Sequence, residues 1–259
     1  MKGASVDFAF IALSVFAIIT VFWFARAGQS RLPLRGYLEP SITPMMSLML
    51  IGAMFVCGST GNLFAQGRGA ADTADQLVWT YGFIILAQLP VVCAYVFLRK
   101  HLGSRHILTT SLIALLVFAP AAHVIASVVH IIFIRLGIEI ELDFGHSTLL
   151  FFTATSWDQS IWTLFLCTTL GAAVVEEVMY RGLLLPTLVT FIGGRSMWQA
   201  MVLTSLIFAL MHIGPAQPSA IVGLFVFSLG LCWARIKSGG ILAPIIIHAI
   251  FNAINIALV

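Results

Sequence analysis

Charge is scarce in this chain. Of 259 residues, 13 are Lys or Arg and 10 are Asp or Glu, 9% in all, against about 25% in a soluble domain. With 60% hydrophobic residues and a mean hydropathy of +1.05, a water-soluble globular enzyme is excluded and an integral membrane protein is implied. The net charge of +3 is spread over the loops, so no basic face offers itself to nucleic acid. The four cysteines, Cys57, Cys93, Cys167 and Cys232, lie in apolar segments without CxxC spacing, which excludes a disulfide framework or a zinc ribbon. The HExxH pattern of zinc peptidases is missing, as is any glycine-rich phosphate loop. No low-complexity run or long linker divides the chain.

What remains is apolar sequence in spans of the right length. A membrane helix needs about 20 mostly apolar residues, and eight stretches qualify: Asp7–Phe24, Ser41–Phe64, Leu77–Leu98, Ile107–Ile134, Ser160–Ile192, Met197–His212, Pro218–Ala234 and Gly240–Leu258. Only helices or closed barrels satisfy the backbone in lipid, so residues 1–259 read as one all-α, polytopic membrane helix bundle of about eight transmembrane helices. Arg26, Arg31, Arg35, Arg99, Lys100, Arg105, Arg195, Arg235 and Lys237 fall in loops on one side, which the positive-inside rule makes cytoplasmic. The opposite loops hold Asp72, Asp75, Glu139, Glu141, Asp143 and Asp158. The six tryptophans, Trp233 among them, fall near span ends, where interfacial tryptophans belong. Ala25-Arg26-Ala27 resembles a leader cleavage site, yet only Lys2 precedes the stretch and three arginines follow it, the wrong order for a leader.

Against this background three polar insertions stand out in the last four spans. The first is Glu176-Glu177 with Arg181. Glu177 and Arg181 are four apart, with the acid N-terminal, the better order for an ion pair on a helix. Glu176 points about 100° away around the same helix and is left free. The second is His212 at the end of span six, four residues after Phe208. The third is His248 with Asn252 on one face of span eight. Measured from the Arg195 turn at about 1.5 Å per residue, Glu176 and His212 lie at roughly 28 and 25 Å. Those depths agree if span five continues past Arg181, kinked at Pro186, to Gly193-Gly194. Ionisable groups at membrane depth are costly and usually functional. Amide hydrolysis needs a base for water, donors for an oxyanion and a proton for the leaving amine. A carboxyl group at low dielectric holds a proton more readily than one in water, which suits that exchange. Glu176, His212 and His248 are also zinc-ligand types, although their spacing does not single out zinc.

The ordered set EExxxR (Glu176, Glu177, Arg181), FxxxH (Phe208, His212) and HxxxN (His248, Asn252) resembles the CAAX-protease and bacteriocin-processing family. These are intramembrane proteases related to the type II CAAX prenyl endopeptidase, also called the Abi family. Tyr180-Arg181-Gly182-Leu183-Leu184, Ser205 to Ile213 and Leu242 to His248 resemble the contexts of the three motifs. The resemblance covers Thr169 to Ile254 and places a catalytic core in residues 160–258. It implies an intramembrane endopeptidase in which Glu176 and His212 activate water. His248 and Asn252 form the oxyanion hole, and Glu177 and Arg181 support the site. The resemblance implies a peptide or membrane-protein substrate met within the bilayer of a bacterial cytoplasmic membrane. Members of the family act on prenyl-CAAX, bacteriocin or signal-peptide substrates, and the choice among these does not carry over with the motifs. A metal-free glutamate mechanism is preferred, and zinc on Glu176, His212 and His248 stays open.

Two other functions compete. A catalytically silent relative would serve as an immunity or scaffold protein, and a transporter would use the glutamates as a proton relay. The latter lacks the internal repeat that transporters often show. His123, Ser127 and His130 form one polar stripe on span four, expected to be packed and hydrogen-bonded rather than a haem or metal pair. The N-terminal half offers no other motif.

Overall fold

The apolar runs fold as helices almost where the sequence places them. The computed structural model describes residues 42–66, 74–98, 106–137, 146–153, 157–192 and 197–259. Seven helical rods follow: α1 Pro44–Gln66, α2 Ala74–Leu98, α3 Ile107–Arg135, α4 Gln159–Phe191, α5 Met197–Leu210, α6 Pro218–Ser238 and α7 Leu242–Ala257. Among the described residues five of these, α1 to α4 and α6, are long and apolar enough to cross a membrane. Helices α5 and α7 are apolar but shorter, 14 and 16 residues. The first expected span, Asp7–Phe24, lies outside the described residues, as do Arg26, Arg31, Arg35, Arg99, Lys100, Arg105 and Arg195. A count of eight spans is therefore not established. The chain is a multi-pass membrane protein, all-helical among the described residues.

Two helix pairs and a central rod make the bundle. Helices α1 and α2 approach so closely at Gly61 that a Cβ there would lie 2.7 Å from Phe83 O. Helices α3 and α6 do the same at Gly223, where a Cβ would lie 2.8 Å from Ala122 O. Small residues at such contacts are the usual means of close packing in lipid, where apolar burial alone does not drive helices together. Helix α4 runs between the pairs and packs against α1, α2, α5, α6 and α7. Outward faces carry bare apolar side chains such as Phe97 and Leu108, the surface that lipid tails would cover.

Helix α4 is continuous from Gln159 to Phe191, so it does run past Arg181 as the depth match requires. Its ladder is irregular in two places, with π turns over Cys167–Gly171 and Val178–Leu184. The second ends just before Pro186, which then falls in the first turn of the resumed α-ladder. A proline lacks the N–H that an uninterrupted ladder would demand, and a first-turn position removes that demand. The expected adjustment at Pro186 thus takes the form of a π turn preceding it.

Two expectations need correction. Arg235 is not a loop residue: it is fully buried inside α6 and donates from Nε to Arg181 O at 3.2 Å. Lys237 too lies within the last turn of α6 rather than after it, but it is exposed. Trp233 is likewise buried, its ring 6.2 Å from that of Phe118, because α6 is held in the core along its last turns rather than ending at an interface.

Candidate active site

The FxxxH spacing explains itself once the second insertion folds. Helix α5 stops at Leu210 and the chain turns, so His212 lies two residues beyond the helix rather than in it. Its Nδ1 pairs with Phe208 O at 2.8 Å. A carbonyl only accepts, so Nδ1 carries the proton and Nε2 is left as a lone pair. The Phe208 ring, fully buried, lies against His212 at 4.8 Å, Tyr180 at 5.1 Å and His248 at 5.9 Å. It also covers the Arg181 guanidinium, whose Cζ is 4.6 Å from the ring centroid.

The adjacent glutamates differ as their angular offset predicts. Glu177 and Arg181 are both fully buried, with Oε1 and NH1 2.8 Å apart. The other end of the guanidinium donates to Ser228 Oγ of α6. Glu177 does more than pair with Arg181, because the same Oε1 lies 2.8 Å from His248 Nδ1. Arg181 already donates to that oxygen, which acts as an acceptor, so Nδ1 of His248 carries the proton. His248 therefore turns its Nε2 towards Glu176, whose Oε2 is 4.0 Å away. That Oε2 is buried with no hydrogen-bond partner. Glu176 as a whole is part-exposed, its side chain 26% accessible against 0% for Glu177.

Asn252 donates from Nδ2 to Thr168 O at 2.9 Å. Thr168 lies in the first π turn of α4, where the wider turn lets a carbonyl leave the ladder and meet a side chain. One N–H of the amide is thereby fixed, and the other remains to donate.

Glu176, His212, His248 and Asn252 line one cavity of about 950 Å³, large for a small-molecule pocket. The four residues singled out from the sequence thus share a wall, with Glu177 and Arg181 directly behind it. Among the described residues no three His, Cys, Asp or Glu side chains lie close enough to hold a metal ion together. Glu176, His212 and His248, as placed, do not fit a zinc site.

The cavity also takes residues from outside the three motifs. His146 lies in the segment before a short 3₁₀ helix, Ser147–Thr153, pinned to the His212 turn by Ser147 N–H donating to Pro215 O at 2.9 Å. Its ring is 6.4 Å from that of His212, edge-on. Here the main-chain N–H of Thr148 donates to Nδ1 at 3.2 Å, so the neutral ring must carry its proton on Nε2. Burial first, and then the neighbouring His212, push this imidazole down to about 4. Tyr81 of α2 joins the same wall through a 2.8 Å hydrogen bond with Thr148 Oγ1. The sequence signal for these residues is slight: a His-Ser-Thr cluster before an apolar run, without periodicity. The stripe His123, Ser127 and His130 of α3 lines the cavity too, instead of being packed away.

Fold and site together define a class: a multi-pass helical membrane protein with a carboxylate and imidazole cavity inside the bundle. Residues 157–254 match the family model described as Type II CAAX prenyl endopeptidase Rce1-like, which bears out the resemblance of the three motifs. No curated protein and no solved structure matches the chain.

Proposed function

We propose that the protein is an intramembrane endopeptidase that cleaves a peptide bond of a membrane-associated protein or peptide with a water activated by Glu176. The observation that carries the reading is the buried, unpartnered Glu176 Oε2 facing His248 Nε2 at 4.0 Å. A water at about 2.8 Å from each atom fits that separation and would be held by two acceptors. Glu176 takes the proton as the water oxygen bonds to the scissile carbonyl carbon, and the carbonyl π pair moves onto oxygen. The C–N bond then breaks as the proton passes from Glu176 to the leaving nitrogen. His212, its Nε2 lone pair turned to the cavity, helps to orient the water.

The oxyanion needs N–H donors. Asn252 supplies its second Nδ2 proton. In the neutral state His248 offers a lone pair at Nε2, so its expected part as an oxyanion donor holds only once the ring is protonated. His146 presents an Nε2–H while neutral, and a neutral imidazole is an effective partner for a developing oxyanion. We therefore assign His146 and Asn252 as the first donors, with Glu177 and Arg181 positioning His248. Residues 160–258 then hold the reacting carboxylate but not the whole apparatus. For the setting, a bacterial cytoplasmic membrane rests on the basic loops, now without Arg235.

The test compares purified protein with Glu176→Gln, His212→Ala and His248→Ala in lipid nanodiscs, using a quenched-fluorescence peptide pool and mass spectrometry of products. Loss of cleavage by at least 100-fold in each folded variant is expected. Cleavage that survives in Glu176→Gln would sink the reading and favour a silent scaffold.

A further inference from the structure

The cavity extends well beyond the reacting carboxylate, and its far wall is built from the polar stripe of α3. His123, Ser127 and His130 sit at i, i+4 and i+7, one face of a helix otherwise apolar enough to cross a membrane. All three line the cavity. His123 lies against Phe251 of α7 with centroids 5.4 Å apart, and its Nε2 is buried with no hydrogen-bond partner. One turn beyond Asn252 on the facing helix, Asn255 commits its Nδ2 to Phe251 O at 2.8 Å and also lines the cavity. Polar side chains kept at membrane depth without internal partners mark a route or a ligand site.

We propose that this stripe is a main-chain binding subsite, which holds an extended, uncharged peptide segment leading to Glu176. The proposal rests on the peptidase reading and names the form in which the substrate enters. A peptide bond is cleaved in an unwound segment, and every main-chain N–H and C=O unwound inside a membrane is costly unless it finds a partner. The stripe spans about 10 Å of α3, the length of about three extended residues. His and Ser both donate and accept, so they serve N–H and C=O groups alike and read no side chain. His123 and Phe251 link this wall to the helix bearing His248 and Asn252, so a strand laid along the stripe points to the reacting pair.

Binding is measured on Glu176→Gln protein in nanodiscs, so that no cleavage intervenes. The probe is a fluorescent pool of ten-residue peptides of Ala, Leu, Val, Ser and Gly, compared with the same pool N-methylated at alternate residues. The unmodified pool is expected to bind at least tenfold tighter. That preference should vanish when His123→Phe, Ser127→Ala and His130→Leu are combined, and fall about threefold with Ser127→Ala alone, a change too small to disturb folding. Equal binding of the two pools, or a preference untouched by the triple variant, overturns the proposal. Active protein separates this from the parent reading. If the N-methyl preference holds but wild type cleaves no peptide, the peptidase reading falls and the subsite stands. If wild type cleaves with a KM that the triple variant leaves unchanged, only the subsite falls.

Discussion

Replacing Glu177 by Gln should destabilise the protein by about 3 kcal/mol. The pair it breaks is fully buried and 2.8 Å apart, and removing one partner of a buried pair costs about 3 to 5 kcal/mol, since the other charge is left in a low-dielectric setting. The lower end applies because Arg181 keeps the Ser228 hydroxyl and the Phe208 face, 4.6 Å from its Cζ. For a chain of this size that corresponds to a fall of about 6 to 12 °C in Tm, read by tryptophan fluorescence in a fixed detergent. Adding Arg181→Met should restore most of the loss, because a buried pair replaced by well-packed neutral groups is often as stable as the original. The coupling between the two changes should therefore exceed about 1 kcal/mol. Peptidase activity separates support of the bundle from support of His248. The Gln variant retains an oxygen for the His248 Nδ1 proton, whereas Glu177→Leu with Arg181→Met removes it. The second double variant should be folded but at least tenfold less active than the first. If Glu177→Gln melts at the wild-type temperature, or if both double variants are equally active, Glu177 neither holds Arg181 nor positions His248 as described.

The His146 ring, pushed down to about 4, is neutral when folded but takes a proton near 6.5 when unfolded. The unfolded state then binds more protons between those values, so stability should be full above pH 6.5 and fall as pH drops towards 4; His146→Gln should flatten that fall in Tm, and an equal slope in both proteins would refute it. The same variant keeps an N–H donor and should lose less kcat than His146→Leu, which is expected to fall about 100-fold, with equal losses arguing against an oxyanion role. Gly61→Ala puts a methyl 2.7 Å from Phe83 O and should cost about 1 to 3 kcal/mol by forcing α1 from α2, measured as a Tm shift. Because the cavity donors do not converge on a metal-sized point, cleavage should survive dialysis against 1,10-phenanthroline; stoichiometric zinc lost in His248→Ala would overturn this.

Much of the bundle was legible because membrane helices announce themselves through length and apolarity alone. Seven expected spans correspond to helices within a few residues at each end, the largest difference being at α6, which runs past Ala234 to Ser238. The candidate site residues were legible for a related reason: Glu176, Glu177, Arg181, His248 and Asn252 are costly in lipid and so stand out. Their partners were not. The bond from Glu177 to His248 joins positions 71 apart in sequence, and that from Asn252 to Thr168 positions 84 apart; helical spacing says nothing about either. His146 belongs to a short connecting segment without periodicity, and its tautomer is decided by a main-chain N–H two residues on. Arg235 misled in the opposite direction, because a basic residue near a span end has the composition of a loop anchor whether it is exposed or buried.

Arg235 and Asn252 show how helix α4 differs from a simple span. Each reaches a main-chain carbonyl of α4, Arg181 O and Thr168 O respectively, and each of those carbonyls belongs to one of the two π turns. A π turn widens the ladder and turns these oxygens further out towards side chains from α6 and α7 than an α turn would. The π turns therefore fix two neighbouring helices without breaking the rod, and they lie on either side of Glu176 and Glu177. Rotation of α4 between these two attachments would move Glu176 away from His248 while leaving the bundle otherwise packed. Asn252 then has two tasks, a bond to the π turn and a donor for the reacting oxygen, and its variants should separate them. Asn252→Asp keeps an oxygen but loses the amide donor to Thr168 O, placing two acceptors together at low dielectric. It should lower both Tm and kcat, whereas Asn252→Gln, if it reaches Thr168 O, should recover Tm before kcat. Recovery of kcat without Tm would mean that the bond to Thr168 O does not hold α7 in place.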